Sequence, residues 1–271
     1  MKSESESEPE PESAEPGSAK PPRPPEGMAG LAKGLAIIEA FETASSPLTV
    51  ADAARLTGIT RAAARRCLLT LTDLGYLTYD GKYFGPTLRM LRLGGAYLAI
   101  TGLPVLAHPY LVEARNALNE SVSLTVWDDG WSVFVDRAES GWMLAGGVRI
   151  GARLPGYCTA TGRVLMAPLS DAEVADVLDR LPPQQVTPLT LTDPEAIIAA
   201  VAQVRRDGYA IVDGEIEPGL RTLAVPVADS RGRTVAALSV NGAGARMDLT
   251  RLRQDFLPVL LDCAAKLGRT Q

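Results

Sequence analysis

The chain of 271 residues carries a formal net charge of −5 and is 46 % hydrophobic but only 5 % aromatic, which fits a soluble protein with an aliphatic core and room for one large or two ordinary domains. No apolar run approaches the roughly 18 residues that a membrane span needs, and an N-terminus rich in glutamate is no secretory signal, so a cytoplasmic protein is expected. Cys67, Cys158 and Cys263, widely spaced, and a single histidine, His108, argue against a disulfide framework, a zinc site or a histidine-based triad; no metal or cofactor is expected.

Residues 1–27 set seven glutamates against Lys2, Lys20 and Arg23 and include the proline-rich run KPPRPPEG. Such a stretch buries too little apolar area to offset its ordering entropy, so it is predicted to be a disordered arm. Residues 28–95 invert the balance, with eight basic side chains against five acidic ones. The overall acidity hides one basic module.

Within residues 28–92, LAKGLAIIEAFET (31–43) places Leu31, Leu35, Ile38 and Phe41 at helical spacing. LTVADAARLTG (48–58) opens with Thr49 and, three residues on, Asp52, a capping-box variant, and stops at Gly58. Thr60 then caps a third helix on which Ala64, Leu68, Leu71 and Leu74 form an apolar stripe, while Arg61, Arg65 and Arg66 lie near its first turns. Gly75 ends that helix, and YLTYDGKYF reads as a hairpin with a type I′ turn at Asp80-Gly81. Helix, short helix, tight turn, basic helix and hairpin make a winged helix-turn-helix. A helix fits the DNA major groove, where arginine pairs bidentately with guanine, and a wing tip reaches the neighbouring backbone. The expected DNA contacts are Thr60, Arg61 and Arg65, with Arg66 beside them, Thr49 at the head of the preceding helix and Lys82 on the wing. Ala62 to Ala64 allow close approach to the groove.

Residues 93–120 begin with an apolar helical run, break at Pro104 and resume as an amphipathic helix to about Asn119. This helical linker is expected to supply dimer contacts, and two-fold pairing suits a palindromic operator.

From residue 121 to 268 the pattern changes. SVSLTVWDDGWSVFVDRAES alternates around a turn and reads as an antiparallel hairpin. Two helices follow, each opened by a capping box, Ser170 to Glu173 and Thr192 to Glu195. GYAIVDGE, RTLAVPVAD and TVAALSVNG are strands. A final helix places Leu249, Leu252, Phe256, Val259, Leu260, Cys263 and Leu267 on one face, with a slight kink at Pro258. The fold class expected is α+β in two domains, the second an antiparallel sheet flanked by helices.

GVRIGARLPGYCTATGRVLMA (147–167) is the most informative segment of that second domain. Pro155 and Gly156 break the chain, and Thr159 and Thr161 introduce a short helix whose first N–H groups suit a carboxylate. The loop DGEIEPGLRT (213–222) and the polar alternation Ser239, Asn241 complete a lining fit for a small organic acid. The competing reading makes Cys158, beside that helix start, an activated thiol of an enzyme or a redox sensor, with Asp213 or Glu215 as acid–base group.

Residues 28–268 resemble the IclR family of bacterial transcriptional regulators. The marks are GLAIIEAF, LTVADAARLTGITRAAARRCLLTLTDLGY, ARLPGYCTATGRVLMA, GYAIVDGEIEPGLRTLAVPV and ALSVNG. TRAAARRCLLTLTDLGYL and GYCTATGRVLMA are similar to its branch controlling aromatic-acid catabolism through the beta-ketoadipate pathway. The resemblance implies a regulator, not an enzyme: a winged helix-turn-helix joined by a helix to a GAF-like effector domain, acting as dimers or dimers of dimers. It places effector contacts at Thr159, Ala160, Thr161 and Gly162, near Asp213 and Glu215, at Thr222, and at Ser239 and Asn241. Ala62 and Ala63 stand where many members have Ser-Thr, which puts more weight on Arg61 and Arg65.

Overall fold

The structure is a computed structural model that describes residues 27–44, 46–141 and 148–270; the arm expected over residues 1–27 lies, but for its last residue, outside them. Two compact units divide between Gly94 and Gly95.

In the first unit, α1 (Ala29–Thr43) packs on α2 (Val50–Thr57) and α3 (Arg61–Asp73). Thr49 and Asp52 form the expected reciprocal capping box, and Gly58 ends α2 in the left-handed region at φ 68°. Thr60 caps α3 by accepting from Ala63 N at 3.3 Å. The core comprises Ile37, Ala40, Leu48, Ala53, Ala64, Leu68, Leu71, Leu77 and Phe84.

Three expectations need correction here. Helix α1 is apolar on more than one side, and the buried stripe runs through Ile37 and Ala40, leaving Leu31 61 % and Leu35 48 % exposed. Leu74 is 52 % exposed because it is the C-cap, where the chain already turns away from the α3 stripe. The wing pairs β1 (Leu77–Tyr79) with β2 (Phe84–Pro86), Tyr79 opposite Phe84, so its loop has four residues and not two. Only Gly81 there has positive φ; Asp80 instead holds the loop by accepting from Lys82 N and Tyr83 N. Leu48 bridges to Phe84 through both backbone bonds and ties the wing to the helices.

A long helical stretch follows, α4 (Leu91–Thr101) and α5 (Leu103–Leu118). The break falls at Gly102, with φ 64°, and Pro104 sits harmlessly in the first turn of α5.

The second unit is a six-stranded antiparallel sheet of order β5-β4-β3-β8-β7-β6. Its strands are β3 (Ser121–Asp128), β4 (Trp131–Ala138), β5 (Arg153–Pro155), β6 (Ala210–Asp213), β7 (Leu220–Ala228) and β8 (Thr234–Ala243). The type I′ signature belongs to the β3–β4 hairpin: Asp128 pairs with Trp131, and the two loop residues Asp129 and Gly130 both have positive φ. Period-two alternation divides the sheet. Ala236, Leu238 and Val240 join Leu223 and Val225 in a core under α5 and the C-terminal helix α10 (Leu257–Gly268). Ala237, Ser239 and Asn241 face the other way, toward α6 (Ala160–Met166). Residues 103–118, read from the sequence as linker, thus pack into this unit's own core.

Helices α7 (Asp171–Arg180) and α8 (Pro194–Asp207) pack on each other beyond α6. The Ser170–Glu173 capping box is present. At α8 the cap is Asp193, not Thr192: Pro194 at the first helical position presets φ, and Asp193 accepts from Ala196 N at 3.1 Å. The C-terminal segment bends through a π-helical turn, Leu252–Phe256, between α9 (Leu249–Arg251) and α10, and Pro258 lies in the first turn of α10. Leu249 is 40 % exposed and off the buried face.

Candidate DNA-binding surface and effector cavity

The capping of α3 by Thr60 aims the exposed side chains of Arg61, Ala62, Arg65 and Arg66 away from a core that takes Ala63, Ala64, Leu68 and Leu71 from the same helix. The three arginines are exposed and form no ion pair among the described residues; Arg61 and Arg65, four residues apart, share one face of α3, and Arg66 lies further round it. Lys82 stands exposed at the wing tip, its Nζ 4.8 Å from the centre of the Tyr83 ring. Thr49 is placed differently. Its hydroxyl donates to Asp52 Oδ2 at 2.7 Å and accepts from Asp52 N, so its work is to set the start of α2.

In the second unit a cavity opens between the sheet and α6. Its water-sized space is about 50 Å³, within an envelope of about 490 Å³ that includes the open mouth. Of the nine residues expected there, Thr159, Ala160, Thr161, Glu215, Thr222, Ser239 and Asn241 line it. Thr159 donates to Pro155 O (3.0 Å) and accepts from Gly162 N (3.1 Å). Thr161 shares a 2.7 Å bond with Ser132. Ala160 and Thr161 occupy the first turn of α6, where backbone N–H groups have no intrahelical acceptor.

Gly162 and Asp213 are not among the lining residues. A Cβ on Gly162 would lie 2.2 Å from Gly156 Cα, so glycine there serves backbone contact between α6 and the turn before it. Asp213 pairs with Arg221, with its carboxylate partly in solvent. Glu215 lines the cavity but is buried and spoken for: Arg163 Nη2 donates to it at 2.7 Å and Leu191 N at 3.1 Å. The sequence reading missed the apolar walls, Phe134, Val148, Leu154, Val212, Ile216 and Leu220. Strand alternation marks Phe134, Leu154 and Val212 as inward but does not say which face is hollow. The other three come from loops and a strand end, which carry no such signal.

Cys158 also lines the cavity, yet it is 0 % exposed, and burial, with the Glu215 charge second, pushes its thiol from 9.0 up to about 12. A thiol so protonated is a poor nucleophile. Cys263, under α5, is likewise pushed up to about 12, by burial first and then by Glu113 and Asp262. Because the folded state raises both pKa values, their contribution to stability is complete below about pH 9 and is lost as pH rises toward 12. Each thiol then removes up to about 1.4 kcal/mol per pH unit. Unfolding free energies between pH 8 and 11 should fall more steeply in the natural protein than in a Cys158→Ala, Cys263→Ala variant; parallel curves would show that the thiols titrate normally.

Among the described residues no group of histidine, cysteine, aspartate or glutamate side chains is arranged to hold a metal ion, and no helix is long and apolar enough to cross a membrane. Residues 30–81 match the family model described as IclR helix-turn-helix domain, and residues 95–269 match Bacterial transcriptional regulator IclR C-terminal. The chain belongs to the IclR family. It is 39 % identical over 244 residues to the Pca regulon regulatory protein of Pseudomonas putida, covering 90 % of this chain and 84 % of that one. The crystal structure of a transcriptional regulator from Rhodococcus sp. RHA1 is 39 % identical and superposes with a TM-score of 0.78 over 89 % of this chain and 97 % of its own. The inducer-binding domain of a double mutant of the Acinetobacter transcription factor PobR, solved with 3-hydroxybenzoic acid, is 27 % identical, with a TM-score of 0.59 over 62 % of this chain and 98 % of that domain. As an IclR-family member the chain is a DNA-binding transcriptional regulator and not an enzyme, and the thiol-based alternative is not favoured.

Proposed function

We propose that this IclR-family protein is a cytoplasmic, homodimeric regulator of aromatic-compound catabolism whose DNA occupancy changes when a small aromatic acid, or the ring-cleavage product of one, enters the second unit. The observation that carries this reading is the cavity itself, with apolar walls for a ring and a polar floor of Thr222, Ser239 and Asn241 opposite the start of α6. The relatives act in the same direction: one governs a Pca regulon, and the other holds a hydroxybenzoic acid.

Arg61 and Arg65 read base edges from the major groove, Thr60, Arg66 and Lys82 hold phosphates, and Ala62 lets the helix approach closely. Thr49 acts indirectly by fixing α2. The first unit also leaves Leu31, Leu35, Leu74 and Leu93 between 47 % and 61 % exposed around one groove. An apolar surface of that kind supports pairing of two chains, with or without a further pairing of dimers, on a two-fold symmetric operator. The effector shifts transcription only by binding one arrangement of the dimer better than the other.

The direct test is binding of the full chain to DNA from its own promoter and the neighbouring intergenic region, first across a salt series and then with 4-hydroxybenzoate, protocatechuate, catechol, muconate and beta-ketoadipate in turn. Sequence-selective binding altered by one compound is the expected result. Binding that depends on salt but not on sequence would reduce the first unit to a basic surface.

A further inference from the structure

The acidic arm takes no part in the function proposed above. It carries Glu4, Glu6, Glu8, Glu10 and Glu12, one at every second position, with no cation among them. In an extended chain, positions two apart fall on one side at about 6–7 Å from each other, so these carboxylates can form a single line of negative charge. The run lies outside the described residues, but the arm joins the fold at Met28, the N-cap of α1.

Met28 lines the groove of the first unit together with Ala63, Arg66 and Cys67 of α3. At about 100° per residue, Arg66 lies between that groove and Arg65, while Arg61 and Arg65 stand about 6 Å apart along the helix axis, close to the repeat of the glutamate line. None of the three arginines has an ion-pair partner among the described residues. Two acids of the same unit are engaged elsewhere, Asp52 in the α2 cap and Asp80 in the wing loop. The stretch from Glu12 to Met28 reaches about 50 Å when extended and about 20 Å as a random coil. Either covers the roughly 8 Å of α3 from Arg66 back to Arg61.

We propose that residues 4–12 dock on the arginine face of α3 and occupy it as an internal stand-in for the phosphates of DNA. This rests on the DNA-contact reading of α3 given above. One exposed ion pair contributes little, but the tether holds the arm at an effective concentration of about a millimolar, and several pairs form together. DNA must displace the arm, so operator and random duplex are weakened by the same factor.

The test is the full chain carrying Glu4→Gln, Glu6→Gln, Glu8→Gln, Glu10→Gln and Glu12→Gln together, titrated beside the natural chain against operator and random duplex. At about 50 mM salt the variant should bind both about 3- to 10-fold more tightly, and the gain should fade toward one near about 300 mM as screening releases the arm. Loss of negative charge alone also favours DNA, so the same five substitutions are made in an Arg66→Gln chain. Docking predicts no more than about half the gain there, because the arm has lost a partner. A gain of equal size in both backgrounds, or no gain in either, overturns the proposal and leaves the DNA-contact reading standing. If the natural chain binds no DNA at low salt, that reading falls and the docking with it.

Discussion

Arg65→Ala should weaken binding to the operator by roughly 5- to 150-fold, the worth of one bidentate base contact, while leaving effector affinity unchanged. The side chain is exposed, lies one helical turn beyond Arg61 and makes no ion pair among the described residues, so its removal costs the fold little. Base reading and phosphate contact give different signatures. Loss of a base contact lowers specific binding far more than binding to random DNA. Loss of a phosphate contact weakens both alike and reduces the salt slope by about 0.9. The first pattern is expected, measured by competition against unrelated duplex at two salt concentrations. Equal losses in operator and effector binding would mean that the two units do not act as separate modules.

Gly162→Ala should lower the melting temperature by about 10 °C or more, a loss of about 4 kcal/mol. Helix propensity alone argues the opposite sign, since alanine in a helix is favoured over glycine by about 0.5–1 kcal/mol. Contact decides against propensity. The added Cβ would fall 2.2 Å from Gly156 Cα and 2.3 Å from Gly156 O, both backbone atoms with nowhere to retreat. Gly156 is itself pinned, for a Cβ there would lie 2.6 Å from the Trp127 ring. Gly34→Ala in α1 is the control, because nothing lies within 4 Å of that position, and it should leave stability unchanged or slightly raised. Similar melting points for the two variants would show that α6 is free to shift away from the turn.

The contrast between those glycines shows where the sequence was legible. Caps are local, so Thr49 with Asp52, Thr60, and Ser170 with Glu173 were readable from spacing alone. Adjacent candidates were not separable by type: at Thr192 and Asp193 the decision came from Pro194, whose fixed φ makes the residue before it the cap. The direction of burial failed on α1, where apolar residues occupy more than one stripe and only α2 and α3 select Ile37 and Ala40. At the wing an Asp-Gly pair suggested a two-residue turn, but the pairing of Tyr79 with Phe84 lengthened the loop and gave Asp80 a side-chain role. Most of the polar cavity residues were found because they recur in short family motifs. The β-bulge at Val135 was not legible, because one extra residue shifts the period-two pattern of β4 and nothing local marks where it falls.

The order of the sheet bears on how copies of this protein meet. Both outermost strands are brief, β5 with three residues and β6 with four. Among the described residues β7 has no neighbour on the β6 side past Ala224, and that open stretch contains Pro226, while β5 ends in Pro155. Proline has no amide hydrogen to extend a ladder, so both borders of the sheet are poor templates for a strand from another molecule. A sheet bordered in this way is guarded against runaway strand addition between copies of the chain.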